Sequence, residues 1–357
     1  MVGINLEGAI LRKARRRLIV LFVMFALVVS GQLARARDGN KLKIGFSIED
    51  TKGERWQTDL NSFEVQARQL GVEVISSDAG GDDDRQFQQV KDMITAGIKV
   101  LVLLPRDTSK ASRMVDAAKA AHVKIISYDR LVLNSDVDLY VSFDREEIGR
   151  LQAEFLIKHS PKGNYVLIAG SPNDGGAKIL HDAQLKVLQP QIDRGEIKVI
   201  ADGYTRDWLP SEAYLFTLKA IDSSQSNIAA VLASNDGLAG GAIQALREHN
   251  LAGKVAVSGQ DADLAAVICI AEGTQTMTVY KPVTREAARA AEEAVRLAKG
   301  ETPHADGTIN NGKTKVPTIL LKPVAVTKDN IKTTVVADGF QTLKSINQAL
   351  SEDRKIK

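Results

Sequence analysis

Apolar and polar positions along this chain alternate between two periods. Continuous apolar runs at residues 42–48, 72–76, 100–104 and 123–127 read as buried strands. Between them, apolar residues spaced three and four apart predict helices over 55–70, 85–96 and 109–121. Asp82, Asp83 and Asp84 stand before the second of these and can cap and charge its start. The rhythm then restarts. Helices are expected at 145–159, 175–192, 211–221, 238–249 and 263–271, with strands at 164–169, 198–201, 228–233, 255–258 and 276–279. A last helix is expected at 284–299. Strands alternating with helices predict parallel sheets, and two successive series predict an α/β chain of two doubly wound, Rossmann-like lobes. The chain should return to the first lobe at 283 and cross back near 320–323, with the tail 324–343 completing the second lobe.

Four of the predicted strands end in polar residues. They lead into Tyr128-Asp129-Arg130, Ser234-Asn235-Asp236, Gln260-Asp261 and Tyr280-Lys281-Pro282. Ligands of open α/β sheets bind at the carboxyl ends of parallel strands. Carboxylate, amide, guanidinium and ammonium groups gathered there suit a small, uncharged, hydroxyl-rich molecule such as a sugar. Asp236 is expected to cap the following helix, which frees Asn235 for ligand contact. Asp263 is the better cap for the helix after it, which frees Asp261 for the cleft. Asp129-Arg130 is either a plain salt bridge or a fixed pair of acceptors and donors. Lys281 is either a surface lysine or, at the crossover between lobes, a cleft residue. Trp208, in a loop before a helix, can cover the apolar face of a sugar ring or plug the edge of the core. Trp56 is expected in core packing.

Composition narrows the classes. The 357 residues are 44% apolar, enough for two cores, and the formal charge of +3 comes from the start of the chain. Residues 1–36 hold six Lys or Arg and one Glu; the remainder carries 41 basic and 43 acidic side chains, a net of −2. A near-neutral body argues against a nucleic-acid protein. Arg12 to Arg17, the apolar run 18–29 and Ala34-Arg35-Ala36 read as a secretory signal cleaved after residue 36, with an uncleaved anchor as the alternative. The single cysteine, Cys269, excludes an internal disulfide, and its apolar surroundings suggest a buried thiol. The histidines at 122, 159, 181, 249 and 304 lack metal-ligand spacing, and no nucleotide loop or nucleophile elbow occurs. A binding protein without cofactor, metal or catalytic residues is expected.

Several stretches bear a family resemblance: Glu54-Arg55-Trp56-Gln57, Ser127-Tyr128-Asp129-Arg130, Asp207-Trp208-Leu209-Pro210, Ala233-Ser234-Asn235-Asp236, Ser258-Gly259-Gln260-Asp261-Ala262-Asp263 and residues 273–282. With these the chain, from about residue 41 to about 340, resembles the D-xylose-binding branch of the type I periplasmic sugar-binding proteins that serve ABC importers. The resemblance implies two lobes joined by a three-strand hinge, 40–143 with 283–320 and 144–282 with 321–345, before a tail at 346–357. It implies a monomeric periplasmic protein that closes on one monosaccharide and delivers it to an inner-membrane ABC permease. It also implies that Arg55, Asp129, Arg130, Trp208, Asn235, Asp261 and Lys281 contact the sugar. One position departs: Gly176 stands where the family carries a ligand-contacting asparagine, and Asp174 or a water is the expected substitute.

Overall fold

The computed structural model describes residues 41–52 and 54–356, so the leader expected at 1–36 lies outside the described residues. The first half of the chain runs β1 (Lys43–Ile48), α1 (Glu54–Gln69), β2 (Glu73–Asp78), α2 (Asp83–Thr95), β3 (Val100–Leu104), α3 (Ser112–Ala120), β4 (Lys124–Tyr128) and β5 (Leu139–Phe143). It continues through α4 (Arg145–His159), β6 (Gly163–Ala169), α5 (Gly175–Asp193), β7 (Ile197–Tyr204), α6 (Pro210–Ser223), β8 (Ala230–Ala233), α7 (Asp236–Glu248), β9 (Ala256–Val257), α8 (Leu264–Glu272) and β10 (Thr278–Tyr280). It ends with α9 (Val283–Ala298), β11 (Gly307–Asn310), β12 (Lys315–Leu321), β13 (Val324–Val326) and α10 (Leu343–Gln348).

Two main sheets result. The first has the order β11-β12-β5-β4-β3-β1-β2 and the second β7-β6-β8-β9. All pairings are parallel except that of the edge strand β11 with β12. The chain passes between the sheets three times, after β5, after β10 and after β12. Strand β10 pairs antiparallel with β13, and Gln260 forms a parallel bridge to Val279, which ties β10 to the end of the second sheet.

The expected strands and helices are present, and local chemistry explains their ends. Every residue of β3 is buried, as its unbroken apolar run requires. Asp82 caps α2, its carboxylate accepting from the backbone N–H groups of Asp84 and Arg85. Phe46, Phe63, Ala287, Ala290 and Ala294 share one core, so α1 and the returning α9 cover the same face of the first sheet. In the second unit, helices approach through glycine. A Cβ on Gly241 would lie 2.1 Å from the Pro210 carbonyl oxygen, and one on Gly149 2.4 Å from that of Leu180. Strands β5, β11 and β12 were not expected from the apolar pattern. Strand β12 contains Pro317, which ordinarily argues against an interior strand. Here the pairing with β5 starts only at Thr318, so the missing N–H removes no bond to β5.

Candidate functional site

Arg55 opens α1 and is 3% exposed. Its outer edge is held from behind: Nη2 donates to Asp59 at 3.2 Å and to Glu286 at 3.1 Å, and Nε donates to Asp59 at 3.3 Å. Its other edge faces the strand ends. Nη1 stands 2.8 Å from Asp129 Oδ2 and 3.7 Å from Asp261 Oδ1. Lys281 Nζ closes the ring, 2.9 Å from Asp261 Oδ1 and 3.7 Å from Asp129 Oδ2. Four of the residues expected in the cleft therefore meet, although they derive from α1, β4, the loop after β9 and the end of β10. The contact of Arg55 Nη1 with Asp129 Oδ2 is an ion pair but is misaligned for a hydrogen bond, and both atoms are buried without such a partner.

Electrostatics keep the two cleft carboxylates, Asp129 and Asp261, charged. Burial alone would raise Asp129, but Arg55, Lys281 and Arg145 together hold it well below the usual carboxylate range. Burial acts likewise on Asp261, and Lys281 and then Arg55 outweigh it, leaving its carboxyl below the ordinary value. Glu286 goes the other way: burial, reinforced by the charge of Asp129, pushes it well above the ordinary glutamate range. Both cleft carboxylates sit on left-handed backbone, with φ of 55° at Asp129 and 104° at Asp261. Such conformations concentrate where a side chain must be aimed rather than where packing is easiest.

Arg130 is the second anchor. It pairs with Glu49 at 2.7 Å and through Nε with Asp174 Oδ2 at 3.1 Å, and Nη1 donates to the carbonyl of Pro105 at 3.1 Å. Asp174 therefore joins the loop before α5 to the first sheet. It also caps α5 by accepting from the Gly176 N–H at 2.8 Å. With both oxygens engaged, Asp174 is a poor replacement for the amide missing at 176. Further contacts cross the same gap: Thr108 N–H donates to the Asn173 carbonyl at 3.2 Å, and Arg106 pairs with Asp207 at 2.9 Å. Trp56, expected in the core, is half-buried and carries the Arg55 guanidinium 4.0 Å and that of Arg130 5.7 Å from its ring centroid. Its ring is thus a wall of the charged site as well as a neighbour of the core.

Trp208, between β7 and α6, sits on left-handed backbone with φ of 57°. Its ring lies against Gly170, where a Cβ would meet indole carbons at 2.1–2.4 Å. It packs against the core of the second sheet, while its Nε1 is buried without a hydrogen-bond partner. The cap expected of Asp236 falls to Asn235 instead. Asn235 caps α7, its Oδ1 accepting from the Leu238 N–H at 2.9 Å. Asp236 instead accepts from Gln275, Thr278 and the Asp263 N–H, tying α7 to β10 and to the start of α8. Asp263 occupies the cap position of α8 without a side-chain cap bond.

Gly176 sits beside a residue that escaped the sequence reading. A Cβ there would lie 2.9 Å from Arg145 Cζ and 3.0 Å from its Nε. Asp59, Glu286 and Arg145 were all missed. The signals available were the i,i+4 spacing of Arg55 and Asp59 and an acid, Glu286, on the apolar stripe of α9. No comparable signal marks Arg145. Among the described residues no group of three or more His, Cys, Asp or Glu side chains is placed to hold a metal ion.

A family model described as "Periplasmic binding protein domain" matches residues 44–302. The chain belongs to that family. Among relatives of this periplasmic binding protein, a D-xylose-binding periplasmic protein of Haemophilus influenzae is 47% identical over 92% of the chain and 98% of the relative. Another D-xylose-binding periplasmic protein, from Escherichia coli, is 46% identical over 90% of the chain and 97% of the relative. A solved carbohydrate transporter solute-binding protein from Chloroflexus aurantiacus, in complex with D-glucose, superposes with a TM-score of 0.79 at 30% identity, covering 86% of this chain and 98% of that one. The periplasmic binding protein fold is therefore that of known sugar-binding proteins.

Proposed function

We propose that this protein captures an aldopentose, D-xylose first of all, and delivers it to an ABC permease in the inner membrane. The observation that carries this reading is the ring of buried charges at the strand ends, in which Arg55 Nη1 and Asp129 Oδ2 lie 2.8 Å apart as an ion pair while neither atom makes a hydrogen bond. Buried polar atoms without partners are costly, and a polyhydroxylated ligand satisfies them in one step. Charged acceptors and donors in one ring suit hydroxyls, each of which both donates and accepts. The full-length likeness to two D-xylose-binding periplasmic proteins supports the choice of sugar.

In this reading Arg55, Asp129, Arg130, Asn235, Asp261 and Lys281 hold the hydroxyls, Trp208 covers the ring, and Gly176 lies at its edge. The lobes, 40–143 with 283–320 and 144–282 with 321–345, sample open and closed forms, and the ligand favours the closed one because it touches both. The protein acts in the periplasm as a monomer, and its role is binding rather than catalysis. Calorimetric titration of residues 37–357 with xylose, ribose, arabinose, glucose and galactose tests the proposal. Tight, selective xylose binding is expected. Preference for another sugar would overturn the pentose assignment, and binding of none would overturn the sugar reading.

A further inference from the structure

Arg145 is an odd residue for its place. It is the first residue of α4, where the helix dipole disfavours a cation, and the two acids that follow, Glu146 and Glu147, are the residues expected there. It is also buried, at 6% exposure. Its Nη2 accounts for part of this, donating to Asp129 Oδ1 at 2.5 Å and to the Asp129 carbonyl at 3.0 Å. The other edge of the guanidinium has no hydrogen-bond acceptor among the described residues. That edge lies against Gly176: a Cβ there would be 2.9 Å from Cζ, 3.0 Å from Nε and 3.1 Å from Nη1. Glycine and arginine therefore share one volume, and the guanidinium fills the space into which a side chain at 176 would grow.

We propose that Arg145 reads a sugar hydroxyl through the Nε and Nη1 edge that Gly176 leaves uncovered, and so sets which sugar the site prefers. This rests on the sugar-binding reading above. The site thus exchanges a neutral amide from α5 for a charged donor from α4. The exchange keeps the donor within 144–282 but moves it from α5 to α4, where it is held by a carboxylate that the sugar itself would contact. A charged donor strengthens the bond to a hydroxyl and penalises an analogue that lacks it. Arg145 and Gly176 should then act as a unit, with neither replaceable alone.

The test uses calorimetric titration of the mature chain and of Arg145→Gln, Gly176→Asn and the double variant, each with the five sugars and with monodeoxy analogues of the preferred one. Gly176→Asn alone is expected to weaken binding at least about ten-fold, because the new side chain meets the guanidinium. Arg145→Gln is expected to weaken it by about ten-fold or more and to change the ranking of the sugars. The double variant should bind better than the product of the single losses allows. One deoxy analogue should lose affinity for the wild type but not for Arg145→Gln. If Arg145→Gln fails to fold, Gly176→Ala provides the same readout, since it presses one methyl on the guanidinium and leaves the Asp129 pairing alone; it should alter the sugar ranking. Equal losses for all sugars, or additive effects of the two substitutions, would overturn the proposal and leave Arg145 a structural partner of Asp129. Wild-type protein that binds no sugar would instead remove the reading on which it rests.

Discussion

Arg55 and Glu286 stand 231 residues apart in the chain, yet the guanidinium of one donates to the carboxyl of the other at 3.1 Å. The contact fastens the opening of α1 to α9, the helix laid down when the chain returns to the first sheet. It also fixes the Arg55 edge that faces Asp129 and Asp261. Placement of the site thus depends on a late segment of the chain.

Burial and the charge of Asp129 raise Glu286 well above the ordinary glutamate value of 4.5. The folded state then holds a proton that the unfolded chain releases. Stability associated with this group is present below the unfolded value and is lost as pH rises from there toward the folded value. Glu286→Gln imitates the protonated form. In thermal melts from about pH 4.5 to 8 the variant should lose less stability with rising pH than the wild type. Parallel profiles would contradict this.

The cleft carboxylates have the opposite sign. Burial raises Asp129 and Asp261, but the adjoining cations outweigh it and hold both below the ordinary value. Their stabilising charge is present above the unfolded value and is lost only as pH falls through the depressed folded values. Sugar affinity should therefore stay level from neutral pH down to about pH 5, with loss confined to more acid solution. A midpoint near pH 6 in the titrations would assign binding to some other group.

Asp261 and Asp263 differ in partners, so they should differ in cost. Asp261→Ala strips Lys281, itself 3% exposed, of its 2.9 Å partner. Removing one member of a buried ion pair costs about 3–5 kcal/mol. Asp263→Ala keeps the backbone N–H that donates to Asp236 at 3.1 Å and leaves the Lys281 pairing intact, and should cost less than Asp261→Ala. Denaturant unfolding together with sugar titration compares the two, and equal effects would refute the division.

Trp208 can be tested from both sides. Trp208→Ala should weaken sugar binding by about 1–3 kcal/mol. Gly170→Ala keeps the indole but places a methyl 2.1 Å from its ring, so the ring must move and binding should fall with tryptophan still present. Unchanged affinity in Trp208→Ala would remove this residue from the site.

The sequence was informative where one residue carries one signal. Strands with unbroken apolar runs, such as 100–104, and helices with a clear stripe could be read directly, as could the polar strand ends that hold Asp129, Asp261 and Lys281. Strand β5 was hidden because its five residues are framed by Asp138 and Asp144, and β11 because three of its four residues are exposed. Asn235 and Asp236 are both good cap residues, so only the backbone could decide between them. Arg145 was illegible for a different reason. At the start of a helix beside two glutamates it looks like a solvated charge, and only the fold brings Asp129 and Gly176 to it.

Strand β12 settles between β11 and β5, so the first sheet stays open along β5 until residues 315–321 have been made. The second sheet needs nothing beyond β9 and its neighbours and can be finished earlier. A nascent chain therefore carries the unpaired edge of Leu139–Phe143, all of it buried in the finished molecule, through the synthesis of the whole second unit.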